Sequence, residues 1–314
     1  MISRRLLRIK ILQVIYIHLI AGDKTIAQSE NELFYSTKKT YDLYHYLLLL
    51  LINLVRYAED KIEMSRNKKI PTFDDLNPNN RFIQNRVIKH LKDNPFLNTY
   101  IAESKLNWSN NPSLVSKLFL KIQNSEYFNA YMLAENDSFE TDKKILISII
   151  ENEIPDNEQL FQYLEDQNIY WNDDIELVAG MVIKTIEHFK ENTMVSKPLL
   201  PLFKNEDDKD FAKTLFRKTI MDKEIYNDLI KKHTENWDME RIANIDILIM
   251  EMALAEILEF PSIPVKVTFN EYIDIAKFYS TAKSGMFING ILDKIVGTLK
   301  TEGKIIKTGR GLIG

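Results

Sequence analysis

Little in this chain has the residue types and spacing of a catalytic centre. Its five histidines, at 18, 45, 90, 188 and 233, are scattered, and none has a second histidine four residues on. There is no cysteine, hence no thiolate nucleophile, no thiolate metal site and no disulfide framework. Glycine-rich phosphate loops, G-x-G-x-x-G and the G-x-S-x-G elbow are absent. Adjacent carboxylates such as Asp173 and Asp174 read as negative charge at a helix start rather than an acid/base pair. Glu271 reads as the ion-pair partner of a nearby lysine. No enzyme activity, cofactor or metal is therefore expected. What remains is charge. Residues 1–10 hold Arg4, Arg5, Arg8 and Lys10 and no acid, a net of +4. At about 100° per residue the three arginines share one arc about 100° wide, with Tyr16 at its edge. Such a face can neutralise phosphates, and arginine can also stack on bases. The plain alternative is a solvated helix start.

The elements that must position these residues are helical in pattern. Residues 3–21 carry Leu6, Leu7, Ile11, Leu12, Val14, Ile15 and Leu19, with Gly22 as a natural C-cap. Residues 27–66 read as one very long helix or two stacked ones. Their stripe of Tyr41, Tyr44, Leu48, Leu51, Ile52 and Val55 places the tyrosines in core and rim rather than on a base-stacking platform. Shorter helices are predicted over 81–92, 94–105, 113–122, 125–133, 139–153, 157–167 and 173–189, with a loop at 67–80 and a linker at 191–201. Residues 207–232 read as a single amphipathic helix.

The chain is organised around residues 237–296. A helix over 239–258 has so broad an apolar face that it must be largely buried. Phe260-Pro261-Ser262-Ile263-Pro264 ends it, since proline lacks the amide donor and restricts the residue before it. The next helix carries Val267, Ile273, Ile275, Ala276 and Phe278. Residues 279–285 form a turn with Ser280, Thr281 and Ser284 as candidate N-caps. A last helix, 286–299, puts Phe287, Ile291, Leu292 and Ile295 on one face, and Gly290 within it predicts close approach by another helix.

Composition agrees. Over 314 residues, 45% are hydrophobic and 27% charged, ample for one or two cores. Nine glycines and nine prolines are few for this length and favour long helices over an all-β fold. The net charge of −4 gives no overall attraction to nucleic acid, so any such site must be a local basic patch. The strongest apolar run, residues 44–55, falls short of the roughly 20 needed to span a bilayer. The basic N-terminal stretch lacks the small-residue cleavage site of a signal peptide. A cytoplasmic protein with no membrane partner is expected. The predicted fold is all-α: two packed helical bundles, an enlarged one over 1–206 with a basic first helix and a second over 207–299, then a flexible basic tail, 300–314.

The string Ile263-Pro264-x-Lys266-Val267-x-x-Asn270-Glu271-x-Ile273-x-Ile275-Ala276-Lys277, followed by Phe287-Ile288-Asn289-Gly290-Ile291-Leu292-Asp293-Lys294, resembles the C-terminal signature of the NusB transcription antitermination factors. Arg241-x-Ala243-x-Ile245-Asp246-x-x-Ile249 and Glu256-Ile257-Leu258 fit that family's preceding helix, so the resemblance covers about residues 208–298. It implies an all-helical NusB-like fold. It also implies binding of boxA-like single-stranded RNA together with the small-subunit ribosomal protein NusE. On that reading the complex joins the RNA polymerase elongation complex with other Nus factors and suppresses termination on ribosomal RNA operons. The family's arginine-rich first helix contacts RNA, and Arg4, Arg5, Arg8, Gln13 and Tyr16 are in register with it. A second contact is expected at the turn, from Lys283, Ser284, Met286 and Phe287. Family members often carry an acid where Lys283 stands and a lysine where Met286 stands, so the positive charge here has moved by about a turn. Common NusB proteins are far shorter, and the extra length lies between Gly22 and Asp207. A NusB-like module also fronts certain RNA cytosine-5 methyltransferases, but those need a cysteine nucleophile that this chain lacks. The alternative from another class is a helical protein-binding scaffold without RNA binding.

Overall fold

Side-chain caps punctuate the fold from its first helix. The Ser3 hydroxyl accepts from the Leu6 amide to open α1 (Arg4–Ala21), and Gly22 closes it at φ 67°, where a side chain is unfavourable. The structure, a computed structural model, describes residues 2–155, 157–192, 194, 197–234 and 242–312. Among these it is all-α, with fifteen α-helices, short 3₁₀ turns and no strand. The long second helix is a single unbroken α2 (Ile26–Arg66) of 41 residues.

Then come α3 (Phe73–Leu76), α4 (Arg86–Lys92), α5 (Pro95–Ser104), α6 (Pro112–Gln123), α7 (Glu126–Leu133), α8 (Phe139–Glu153), α9 (Glu158–Gln167) and α10 (Ile175–His188). Thr72, Asn85, Asn94, Asn111, Ser125, Ser138 and Asn157 cap seven of these, each accepting from an amide three residues on. The helix expected from 81 begins only at Arg86, because Asn85 caps it there. The C-terminal part holds α11 (Glu206–Met221), α12 (Lys223–His233), α13 (Asn244–Glu259), α14 (Val265–Tyr279) and α15 (Ser284–Thr301). The single helix expected over 207–232 is therefore two, broken at Asp222. Of the helix expected over 239–258, residues 239–241 lie outside the described ones, as does Arg241 of the family pattern.

The chain divides into two compact units, and the division differs from the predicted 1–206 and 207–299. One unit is Lys38–Leu202 with Ile2, and the other is Ser3–Thr37 with Phe203–Gly314. The basic first helix thus belongs with the C-terminal helices, since its buried Leu6, Leu7, Ile11, Leu12, Val14 and Ile15 need their apolar surface. In the first unit, α2 buries Leu43, Tyr44, Leu47, Leu51 and Val55. Tyr46 stacks on Trp108 with ring centroids 4.2 Å apart, and the Trp108 indole donates to the Tyr46 carbonyl at 3.0 Å. Of the two tyrosines in the predicted stripe, Tyr44 is buried in the core and Tyr41 is half-buried at its rim.

In the second unit α13 is the central helix. It is buried on every side from Leu248 to Ile257, and α1, α11, α12, α14 and α15 all pack on it. The expected mobile tail is docked instead. The Thr308 amide donates to the Pro261 carbonyl at 3.0 Å, and the Lys307 ammonium donates to the carbonyls of Ile257 and Phe260 at 2.9 and 3.1 Å. Gly311 is buried against Pro261, where a Cβ would collide with the Pro261 carbonyl. Gly290, by contrast, is exposed, and no described atom lies within 4 Å of the position of a Cβ there, so among the described residues no helix makes the close approach expected at it.

Candidate nucleic-acid interface

All nine predicted contact residues fall in the second unit, on α1 and at the start of α15. The three arginines of α1 diverge to three acids. Arg4 Nε meets Asp208 on α11 at 2.9 Å, with its guanidinium 4.9 Å from the Phe211 ring centroid. Arg5 meets Asp274 on α14 at 2.8 Å. Both side chains remain about a third exposed, at 37% and 36%, so these are surface pairs worth about 0–1 kcal/mol that a phosphate can displace. Lys277 first, and then Arg5, holds the Asp274 carboxyl below its ordinary value.

Arg8 is different, and its predicted role in RNA contact is corrected. Its side chain is 4% exposed and turned into the core. Nε and one terminal nitrogen donate to the two oxygens of Glu256 at 2.7 and 2.8 Å, a bidentate pair. The other terminal nitrogen reaches Glu271 at 3.4 Å, so Glu271 pairs with an arginine rather than the lysine expected. Thr268 and Tyr272 donate to the same Glu256 carboxylate at 2.8 and 3.3 Å. Burial works against the Arg8 charge, but the hydrogen bonds and charge of Glu256 outweigh it and hold the guanidinium above its ordinary value. Burial, then Glu256, raises Tyr272 well above the usual phenol range. This network ties α1 to α13 and α14, and within it the Arg8 and Glu256 side chains are buried while Glu271 is part-exposed.

The end of α14 that leads into the glycine-marked turn meets α1. Gln13 Nε2 donates to the Tyr279 hydroxyl at 3.3 Å, and Tyr279 is the last residue of α14 before the turn. The contacts at Asp274 and Tyr279 are five residues apart on α14, about 7.5 Å along its axis. Gly285 packs on Ile273, where an added Cβ would lie 3.5 Å from the isoleucine side chain. Lys283 and Met286 are exposed and Phe287 is half-buried. Ser284 is buried, its hydroxyl donating to Asp246 at 2.8 Å and lying 2.9 and 2.8 Å from the hydroxyls of Ser280 and Thr281. Its side chain is thus unavailable as a contact, and α15 starts at Ser284 with Lys283 before it supplying no side-chain cap. Tyr16 sits further along α1 beside Ile17 and Ile20, all exposed, and borders a cavity of about 320 Å³ with Leu19, Ile247 and Glu251.

The family pattern includes Glu256 and Asp246, but the sequence alone assigned them no role. Their signal was legible: carboxylates in the midst of a helix whose apolar residues cover every side, as Asp246, Glu251 and Glu256 are, end up buried and need partners.

Among the described residues this is an all-helical protein with a mixed-charge face and no cluster of three metal-binding side chains. Residues 176–297 match the family model described as the NusB family. The transcription antitermination protein NusB of Salinibacter ruber is 46% identical over 115 residues, covering 37% of this chain and 72% of that protein. The NusB proteins of Chloroherpeton thalassium and Thermodesulfovibrio yellowstonii are 38% and 45% identical, with 43% and 29% of this chain matching 66% and 60% of theirs. The solved structure of T. maritima NusB is 28% identical, covering 44% of this chain and 85% of that one, with a TM-score of 0.29. The chain belongs to the NusB family.

Proposed function

We propose that this protein is a transcription antitermination factor that binds boxA-like single-stranded RNA together with the ribosomal protein NusE. The complex joins the RNA polymerase elongation complex with other Nus factors and suppresses termination on ribosomal RNA operons. Support comes from family membership and from one contact above all, the Gln13–Tyr279 hydrogen bond, which sets the α15 turn beside the basic helix. The RNA face is Arg5, Gln13, Lys283, Met286 and Phe287, with Arg4 at its edge. Lys283 supplies a phosphate charge, the uncapped start of α15 supplies amide donors, and Phe287 supplies a ring for stacking. Arg8 and Ser284 act from beneath by fixing α1 and the turn. Tyr16, Ile17 and Ile20 form an exposed apolar patch suited to the protein partner rather than to RNA. No helix among the described residues is long and apolar enough to cross a membrane, and the cytoplasmic setting is part of the proposal.

One observation favours the scaffold reading. Arg4, Arg5 and Arg8 all have acidic partners within the chain. Anisotropy titration of a labelled boxA-like oligonucleotide, with and without NusE, separates the two. RNA binding that tightens with NusE supports antitermination. No binding in either titration overturns it in favour of the scaffold.

A further inference from the structure

The enlarged N-terminal unit carries a surface that the RNA-binding face does not use. Between α8, α9 and α10 lies an open cavity of about 320 Å³. Its wall is apolar: Ile150 and Ile154 from the end of α8, Phe161 from α9, and Ile175, Ala179 and Ile183 along α10. Two exposed carboxylates border it, Glu151 and Glu176, and neither makes an ion pair or hydrogen bond among the described residues. Acids outnumber bases in the sequence that forms it. Residues 150–188 contain ten acids against Lys184 alone, a net of −9 in a chain whose total is −4. That field repels phosphate and attracts a cationic protein.

Gly180 gives a second reason to expect an occupant. It lines the groove from the interior of α10, where glycine costs about 1 kcal/mol relative to alanine. Close packing inside the chain does not account for it, since nothing lies within 4 Å of the place a Cβ would take. A glycine beside Ala179 leaves room for a helix from outside to approach closely. The lining positions of α10, from Ile175 to Ile183, run a little over two turns, about 12 Å. That length accepts apolar anchors at i, i+3 or i+4, and i+7 of a helix.

We infer that the α8–α10 groove docks a basic amphipathic helix of a protein partner, its apolar face against Phe161, Gly180 and Ile183 and its lysines or arginines on Glu151 and Glu176. The groove lies in the other unit from the proposed RNA face, so the two are tested apart. The probe is a short synthetic helix with lysine on one face and leucine on the other, titrated into the full chain by fluorescence anisotropy. Its glutamate–leucine counterpart is the control, and a boxA-like oligonucleotide is titrated in parallel. Gly180→Leu adds bulk to the groove wall without changing charge, at a position where no described atom lies within 4 Å of the new Cβ, and the double variant Glu151→Lys/Glu176→Lys reverses the rim. The basic helix binds the parent chain and the acidic one does not. Each variant weakens the basic helix by about tenfold or more, as loss of an anchor pocket does. Oligonucleotide affinity is unchanged by Gly180→Leu, which keeps the parent melting temperature or raises it. The inference is overturned if the basic helix fails to saturate the parent chain up to about 1 mM, or if Gly180→Leu binds it as well as the parent does. An RNA titration that fails while the helix binds removes the antitermination reading and leaves this one standing.

Discussion

Arg8 and Glu256 show how far one side chain's environment departs from its sequence context. On a helical wheel Arg8 is indistinguishable from Arg4 and Arg5, and its partner lies 248 residues away, so no local pattern could assign it. Both partners are buried. Arg8→Ala therefore leaves an uncompensated carboxylate in the core and is expected to cost about 3–5 kcal/mol, read as a fall in the urea midpoint. Replacing both partners with apolar residues, Arg8→Met with Glu256→Leu, is expected to recover most of that loss. A single variant as stable as the parent would mean the pair is not buried as described. Glu251 carries a separate expectation. Burial pushes its carboxyl up to about 7 from 4.5. Its folded value is raised, so between about pH 4.5 and 7 the folded protein holds a proton that the unfolded chain gives up, and stability falls as pH rises through that window. Glu251→Gln should remove this decline, and its melting temperature should gain on the parent from pH 5 to pH 7. Parallel curves would show that Glu251 is ionised in the folded protein.

At the level of elements, helices such as α6, α7, α8 and α9 were legible because a Ser or Asn cap and the apolar period coincide, whereas the one-turn α3 capped by Thr72 lies in the expected loop and Asn85 moves the start of α4 to Arg86. The break at Asp222 was not legible, since Phe211, Leu215, Ile220, Ile225 and Ile230 keep an apolar rhythm across it. The tail was misread for a related reason. Its glycines suggest mobility, yet Gly311 is small so that the chain can lie on Pro261, and Lys307 satisfies carbonyls at the end of α13. Unpaired carbonyls at a helix end are what an ammonium can satisfy. Gly311→Ala is expected to lift the tail from that corner. Limited trypsin digestion, followed by mass spectrometry, should then cut at Lys304, Lys307 and Arg310 faster than in the parent. Equal rates would mean the tail is not held there.

For the whole molecule, the all-α class and the family were readable because glycine and proline are sparse and because many signature residues fall in fixed order across three helices. The division into units was not, since residues 3–37 join helices some 200 positions further on. Charge is also organised at this scale. A chain of net −4 has no overall field to draw nucleic acid, so the proposed RNA affinity rests on a few cations that exchange internal acids for phosphates. Arg5 and Arg4 can make that exchange because they are exposed, whereas Arg8 cannot. Each phosphate contact to a single strand contributes about 0.7 to the slope of log affinity against log salt, so Arg4→Ala with Arg5→Ala should flatten the slope for a boxA-like oligonucleotide by about 1.4. A milder Arg8→Lys, which keeps a cation beside Glu256, should leave the slope unchanged even where it lowers the melting temperature. If instead Arg8→Lys flattens the slope and the paired substitution does not, the nucleic acid meets α1 on the face that here points into the core.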